Sequence, residues 1–291
     1  MSLVATIQDV LLLNLSVSRP FHLPFPIVII VFRRSKISRD LNESLNQALQ
    51  LLQEARDVVV LTGAGISTPS GIPDFRSDST GLWSFTNPFE VATIWAFREH
   101  PQRFYDWIRP LARDVLKARP NPAHLALTQL EQMGKVSAII TQNIDGLHQK
   151  AESERVLEIH GHLRTIGCLD CGYRASSDPH LRKFIDAGDM PICPQCGSVM
   201  KPDVVLFGEP LPHDVVVAAQ EAALHCDLML VVGSSLEVMP AADLPALAVR
   251  SGSKLIIATL GLTPLDHLAD VILRGDVAQT MPWLARQLQE D

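Results

Sequence analysis

The chain has 291 residues, 47% of them hydrophobic and 20% charged, and its formal net charge is -7. This length suits one large domain, or one domain with an inserted module, and the apolar content suffices for a sizeable core. The negative charge argues against a nucleic-acid-binding protein. No apolar stretch reaches the roughly 18 residues of a membrane span.

Residues 1–38 differ from the rest of the chain. They contain three consecutive leucines at 11–13, a proline-rich stretch and two adjacent arginines. A secretory signal would begin with positive charge, whereas the first positive residue here is Arg19. We expect a loosely attached extension, with the catalytic domain at residues 39–291. An interfacial membrane anchor is the alternative.

Helical and strand-like segments then follow one another. Leucines at helical spacing predict an amphipathic helix over residues 41–55. Short, continuously apolar runs are typical of strands buried on both faces, and they lie at 58–61, 136–140, 228–232, 255–258 and 271–273. Helix-length segments or a cysteine-rich segment separate them. This alternation predicts an α/β fold with a doubly wound parallel sheet.

Small or hydrogen-bonding residues follow three of the predicted strands. They are Gly63-Ala64-Gly65-Ile66-Ser67, Thr141-Gln142-Asn143-Ile144-Asp145 and Gly233-Ser234-Ser235. Ligands of doubly wound sheets bind at the carboxyl ends of the strands. The three clusters therefore predict one binding site along that edge.

The first cluster has features of a phosphate-binding loop. Gly63 and Gly65 permit a tight turn and a close approach of the backbone to a pyrophosphate. The third glycine of a dinucleotide fingerprint would fall at Thr68, so an ordinary glycine turn is the alternative. The loop after it, with Asp74, Phe75 and Arg76 between glycine and proline residues, is suited to close over a nucleotide.

Cysteines form two C-x2-C pairs separated by 21 residues, and these are Cys168, Cys171, Cys193 and Cys196. Four thiolates at such spacing predict a structural zinc site with no open position. Two disulfides or a redox pair are the alternatives, but Gly172 and Gly197 suit tight knuckle turns. The segment 160–203 has five Lys/Arg and five Asp, unlike a DNA-binding zinc ribbon. The fifth cysteine, Cys226, lies in an apolar run and is expected in the core.

The chain resembles the sirtuins, which are NAD-dependent protein lysine deacylases. The matching segments occur in the family's order and cover about residues 40–285. They are the three strand-end clusters, Gly71-Ile72-Pro73-Asp74-Phe75-Arg76, His160-Gly161, the cysteine pairs, Phe207-Gly208-Glu209 and Leu236 after Ser235. The resemblance implies a Rossmann-like NAD-binding domain with a small inserted zinc-ribbon module at about residues 160–203. Substrates would enter between the two.

The resemblance also implies roles for individual residues. The catalytic residues would be His160, Asn143 and Asp145. The NAD contacts would be Gly63, Ala64, Gly65, Ser67, Asp74, Phe75, Arg76, Gln142, Asn143, Ile144, Asp145, Gly233, Ser234, Ser235, Thr259, Leu260, Gly261 and Val277. The substrate contacts would be Val205, Phe207, Gly208, Glu209, Leu236 and Val238. Zinc would be held by Cys168, Cys171, Cys193 and Cys196.

In the implied reaction NAD is consumed, and its ribose receives the acyl group from a lysine of a protein substrate. His160 would be the general base, because a histidine pKa lies near working pH. A lone histidine is more often structural, and we expect His162, His148 and His124 to be packing or capping residues. Phe75 would screen the reactive ribose, with core filling as its alternative.

Two departures from the family pattern bear on specificity. Members that remove succinyl groups carry Tyr-x-x-Arg, whereas here Tyr105 is followed by Ile108 and the arginine is Arg109. One residue turns a helical side chain by about 100°, so we expect Arg109 to point away and acetyl or apolar acyl groups to be preferred. Near the end, Thr259-Leu260-Gly261 replaces the usual Asn-x-Glu. The missing carboxylate predicts NAD binding weaker by about 1 kcal/mol.

Other functions are compatible with parts of this pattern. A protein ADP-ribosyltransferase would use the same NAD pocket with a protein acceptor. A non-catalytic NAD- or zinc-binding module is a second alternative, against which the retained His160, Asn143 and Asp145 argue. Cysteine usage fits a reducing compartment, and we expect a cytoplasmic protein.

Overall fold

The computed structural model describes residues 34–74 and 87–290, and side chains from residue 41 onward. The predicted extension therefore lies mostly outside the described residues, as do Phe75 and Arg76. Within the described part, no helix is both long enough and apolar enough to cross a bilayer.

A six-stranded sheet forms the centre of the fold, and all its strand pairs are parallel. Its strands are β1 (Val58–Thr62), β2 (Val136–Thr141), β3 (Val156–Glu158), β7 (Leu228–Val232), β8 (Lys254–Ala258) and β9 (Val271–Leu273). They lie in the order β3-β2-β1-β7-β8-β9. This is the Rossmann order, and the direction in which successive strands are added to the sheet reverses between β1 and β7. The predicted fold class is confirmed.

All five predicted strands are present, and β3 is an additional one. No apolar run predicts it, because β3 is only three residues long and two of them are half-buried. Every residue of β1 and β7 is buried. Consecutive β1 residues face opposite layers, with Val58 and Val60 in one core and Val59 and Leu61 in the other.

Helices cover both faces of this sheet. One layer contains α1 (Arg34–Glu54), α5 (Pro122–Gln132) and α10 (Val277–Glu290), and the other contains α8 (His213–His225) and α9 (Leu244–Arg250). The predicted start of α1 at residue 41 was wrong by seven residues, because the leucine periodicity begins only at Leu41. Cys226 is buried in the second layer, as predicted.

The cysteine-rich segment forms a separate antiparallel sheet. Its strands β4 (Gly161–Cys168), β5 (Arg174–Ser176) and β6 (Met200–Val204) lie in the order β5-β4-β6, and α7 (Asp178–Ala187) follows β5. Because β4 begins one residue after His160, this module emerges directly from the carboxyl edge of the main sheet.

In the described residues between β1 and α5 lie three further α-helices, and α6 (Leu147–Lys150) follows β2. They are α2 (Pro88–Val91), α3 (Ile94–Glu99) and α4 (Pro101–Lys117). Helix α4 packs on α7 through aromatic residues, with the rings of Tyr105 and Phe184 4.9 Å apart edge to face. The Tyr105 hydroxyl donates to the Met200 carbonyl at 2.5 Å. Helix α4 therefore shares a hydrophobic core with the inserted module.

The loops after β1 and β7 meet through their backbones at the point where the strand order reverses. The Gly65 N–H donates to the Gly233 carbonyl at 2.8 Å. A Cβ on Gly65 would lie 2.7 Å from that oxygen, and one on Gly233 would lie 2.2 Å from the Ile66 nitrogen. This contact requires glycine at both positions and forms the base of a crevice beside the sheet.

We predict that Gly233→Ala lowers the free energy of unfolding by about 3 kcal/mol or more, from a left-handed φ of 65° combined with the backbone clash. Gly252→Ala is the matched control. Its φ is 99°, yet a Cβ there would meet nothing within 4 Å, so we expect a loss of about 1 kcal/mol. Urea denaturation measures both. Equal losses would contradict the close contact.

Candidate active site

One large cavity lies along the carboxyl edge of the main sheet. Its volume is about 1120 Å³, above the range of about 300–1,000 Å³ typical of small-molecule sites. Its walls come from the loops after β1, β2, β3, β7, β8 and β9 and from α4 and the segment after β6. The cavity is therefore large enough for more than one ligand.

Most of the predicted site residues lie together in this wall. They are Gly63, Ala64, Gly65, Asp74, Gln142, Asn143, Ile144, His160, Val205, Phe207, Gly208, Glu209, Gly233, Ser234, Ser235, Val238, Thr259, Leu260, Gly261 and Val277. Three others do not line it. Ser67 and Asp145 are buried behind it, and Leu236 belongs to the core between the sheet and α8–α9.

A hydrogen-bonded network fixes Asn143 behind the cavity. The Asn143 Nδ2 group donates to the Gly63 carbonyl at 3.0 Å and to Ser67 Oγ at 3.1 Å. Ser67 Oγ donates in turn to Asp145 Oδ2 at 2.7 Å. Both Nδ2 hydrogens are thus used, which leaves Asn143 the acceptor Oδ1 for a ligand.

Asp145 is the end of this network. Its Oδ1 accepts from the Leu147 N–H at 2.8 Å. Burial raises the pKa of Asp145, while the hydrogen bonds from Ser67 and Leu147 oppose that rise. Both carboxylate oxygens are engaged by the protein, so Asp145 holds Ser67 and, through it, Asn143.

His160 occupies the β3 end of the cavity. Its Nδ1 lies 3.1 Å from the Gln142 carbonyl oxygen. Because a carbonyl oxygen only accepts, Nδ1 carries the proton and Nε2 is the basic nitrogen. Burial lowers the pKa of His160, and the hydrogen bond to Gln142 partly offsets this. The ring is therefore neutral at pH 7 and able to accept a proton.

Gln142 joins His160 to the centre of the crevice. Its Nε2 donates to Ser234 Oγ at 2.9 Å, so one residue contacts both the base and the loop after β7. The loops after β2, β3 and β7 thus form one hydrogen-bonded unit.

Two other histidines are structural, as predicted. His124 and His148 are buried side by side, with ring centroids 4.9 Å apart. His124 completes the cap of α5 with Asn121, and His148 Nε2 lies 3.0 Å from Thr62 Oγ1. Burial lowers the pKa of His124 to about 4 and that of His148 to about 3, so both remain neutral near pH 7.

The segment after β6 forms the wall next to His160. The Val205 N–H donates to the His160 carbonyl at 2.9 Å. Glu209 lines the cavity, but its carboxylate accepts from the Leu206 N–H at 2.8 Å and pairs with the buried Lys201 at 3.0 Å. The Glu209 side chain therefore fixes the turn of this segment, and its contact with substrate stays a prediction.

Helix α4 supplies an apolar wall that the sequence motifs did not identify as a group. Its cavity-facing residues are Phe104, Trp107, Ile108 and Leu111. Arg109 points the other way, as predicted, and donates to the Ile185 carbonyl at 2.7 Å. The helical spacing of these four apolar residues was the available signal.

The four cysteines form a compact cluster. Their Sγ atoms all lie within 4.8 Å of one another, and none is in a disulfide. A tetrahedral zinc with Zn–S bonds of about 2.3 Å places sulfurs about 3.8 Å apart. Gly172 and Gly197 adopt positive φ after each pair, as knuckle turns require. The residues fit a structural zinc ion, which would hold the two knuckles together.

The chain is similar to known proteins over most of its length. The model of the Sir2 family matches residues 63–240. An NAD-dependent protein deacylase 2 of Archaeoglobus fulgidus is 44% identical over 86% of this chain and 98% of its own length. An NAD-dependent protein deacetylase of Thermotoga maritima is 42% identical over 85% and 98%.

Solved structures are similar over the same region. One described as a structural basis for the mechanism and regulation of Sir2 enzymes has a TM-score of 0.81 and 43% identity, covering 86% of this chain and 99% of its own. A Sir2 structure with a deacetylated peptide and 3'-O-acetyl ADP-ribose has a TM-score of 0.78 and 42% identity, covering 84% and 97%.

We predict that Cys171→Ser abolishes stoichiometric zinc binding and unfolds the inserted module, because three thiolates do not close a structural site. Zinc content by mass spectrometry and the far-ultraviolet circular dichroism spectrum measure the two effects. Cys226→Ser, in the core away from the cluster, should keep one zinc per chain. Full zinc content in Cys171→Ser would contradict the four-cysteine site.

Proposed function

Since the chain belongs to the Sir2 family and is an NAD-dependent protein deacylase, we propose that the residues of its large cavity carry out this reaction. The observation that supports the assignment is the position of His160. Its basic nitrogen lies in the same cavity as the glycine crevice after β1 and β7, and Gln142 connects the two. NAD bound on the crevice would therefore bring its ribose, the acyl acceptor, close to His160 Nε2, the proton acceptor.

The overall reaction converts acyl-lysine, NAD and water into lysine, nicotinamide and an O-acyl-ADP-ribose. NAD supplies an anomeric carbon that becomes electrophilic as nicotinamide leaves. The amide oxygen of an acyl-lysine is weakly nucleophilic, so both partners require close positioning. Nothing in the comparisons favours the ADP-ribosyltransferase alternative.

His160 acts as the general base. The Gln142 carbonyl fixes its tautomer and orientation, and burial keeps it neutral. A neutral imidazole can take a proton from a ribose hydroxyl, which increases the nucleophilicity of that oxygen. The hydroxyl oxygen then bonds to the acyl carbon, the bond from that carbon to the lysine nitrogen breaks, lysine leaves as its amine, and water completes the ester.

Asn143 and Gln142 bind the nicotinamide-bearing half of NAD. Asn143 presents its Oδ1 acceptor, and Ser67 and Asp145 act as positioning residues behind it. Gly63, Gly65, Gly233 and Ser234 allow the pyrophosphate to approach the backbone at the crevice. These assignments divide the predicted site into contacting and supporting residues.

The acyl chain lies against the apolar wall of α4. Relatives of this fold are described with a propionylated peptide and with a myristoylated histone peptide. Here Ile108 faces the cavity and Arg109 does not. The described part of the wall has no lysine or arginine for an acidic acyl group, and we therefore assign acetyl and longer apolar acyl groups as substrates.

The substrate peptide binds between two segments, 204–209 and 235–239. The first continues from β6, whereas the second, expected to be extended, turns at Leu236, whose φ is 55°. Both line the cavity, and main-chain pairing would give affinity with modest sequence preference.

We also propose a catalytic domain at residues 39–291, with its zinc module at about 160–203 and a loosely attached extension at 1–38. Five cysteines without a disulfide support a cytoplasmic location.

We predict that His160→Ala lowers kcat for acetyl-peptide deacetylation by about 10²–10⁴-fold, the usual contribution of a general base. Binding of ADP-ribose should remain. In the wild type, kcat/KM should fall on the acid side only below pH 6.5, since burial lowers the pKa of His160. His213→Ala, exposed at the start of α8, is the control. Unchanged turnover in His160→Ala would exclude the base assignment.

We predict that acetyl- and propionyl-lysine peptides are deacylated faster than a succinyl-lysine peptide of the same sequence. Ile108→Arg should raise desuccinylation relative to deacetylation, because it places a cation in the apolar wall. Arg109→Ala should leave the ratio unchanged. Product formation by liquid chromatography measures all three. Faster desuccinylation by the wild type would overturn the pocket assignment.

A further inference from the structure

The carboxyl edge of the sheet gives the bound dinucleotide a direction, and the following inference rests on the function proposed above. Asn143 and His160 follow β2 and β3 at one end, while the glycine crevice lies between β1 and β7. Adjacent strands are about 4.8 Å apart, so β8 lies three spacings, or about 14 Å, from β2. With the pyrophosphate on the crevice, the adenosine therefore lies at the ends of β8 and β9.

The loop after β8 offers the adenosine ribose little polar contact. In the cavity wall it presents Thr259, Leu260, Gly261 and Leu262. The two leucines are 75% and 85% exposed, and no carboxylate is among these four residues. A hydroxyl and a backbone are the available polar groups in this part of the wall.

Asp276, which follows β9, is the acidic residue of the cavity wall at this end. It precedes α10, where its Oδ1 accepts from the Ala278 N–H at 2.9 Å and its carbonyl accepts from the Thr280 N–H at 2.9 Å. The cap fixes the direction of the side chain. Because a carboxylate has two oxygens, capping and ligand binding use different acceptors.

The surrounding charge is unfavourable for a second phosphate. Among the described residues of the cavity wall there is no lysine or arginine, and Asp276 is the acidic residue at this end. Arg274 lies nearby, but it pairs with Asp266 and donates to the Thr259 carbonyl at 3.2 Å. A 2'-phosphate on the adenosine ribose would meet the Asp276 carboxylate, while Arg274 is already paired with Asp266.

We infer that Asp276 is the cofactor-specificity residue of this enzyme. Its carboxylate accepts hydrogen bonds from the adenosine ribose hydroxyls and repels a 2'-phosphate. In Rossmann proteins an acidic residue that binds the 2'-hydroxyl selects NAD, whereas arginine accommodates NADP. Here Asp276, which follows the last strand of the sheet, takes the place of the carboxylate that the loop after β8 lacks.

The test compares the binding of ADP-ribose and of 2'-phospho-ADP-ribose by isothermal titration calorimetry with the full chain. Asp276→Asn retains the helix cap, because asparagine caps as well as aspartate, but removes the charge. We expect it to weaken ADP-ribose binding about tenfold, the size of one hydrogen bond to a charged group. We also expect the preference for ADP-ribose over its 2'-phosphate to shrink by at least as much. KM for NAD should rise while kcat stays unchanged.

Asp214→Asn is the matched control. Asp214 is also an exposed acid in the first turn of a helix, α8, and it is outside the cavity wall. It should change neither affinity, which separates local contact from net charge. If Asp276→Asn melts at the wild-type temperature and keeps the wild-type affinities and preference, Asp276 is only a helix cap and the inference is wrong. If the wild type itself fails to bind ADP-ribose, the proposed function fails first.

Discussion

The backbone contact between the Gly63–Gly65 turn and Gly233 is the constraint on which the rest of the site depends. At this point the strand order reverses, and side chains on either loop would separate β1 from β7. Because the two loops meet with no room for a Cβ between them, their contact forms the base of a crevice at the sheet edge. The residues after β2 and β3 then lie on one side of the crevice and those after β8 and β9 on the other.

Chemistry at this crevice relies on buried polar groups that are held by the protein before any ligand arrives. Asp145 and Ser67 fix Asn143, and Gln142 fixes His160. These bonds are made in low-dielectric surroundings, where a fixed dipole is worth more than in water. The described cavity wall has no lysine or arginine, so it offers a dinucleotide pyrophosphate backbone N–H groups and neutral side chains.

The sequence predicted the sheet and most of the cavity because both depend on local patterns. Apolar runs and the small residues after them predicted five of the six strands and their functional ends. It did not predict features set by tertiary packing. The core position of Leu236 depends on the packing of α8 and α9 on the sheet, and the bond of Glu209 to Lys201 depends on the turn after β6. The helical spacing in α4 indicates an apolar face, but only the packing of the helix shows that this face lines the cavity. Strand β3 was too short for a periodic signal.

The most direct test of the account is the stoichiometry of the products. Purified protein, NAD and an acetyl-lysine peptide should yield nicotinamide, deacetylated peptide and O-acetyl-ADP-ribose in equal amounts by mass spectrometry. Without the peptide, nicotinamide release should fall to background, because the acyl oxygen is the partner that captures the ribose. Nicotinamide released without deacetylated peptide, or ADP-ribose attached to protein in its place, would contradict the assignment of the cavity to acyl transfer.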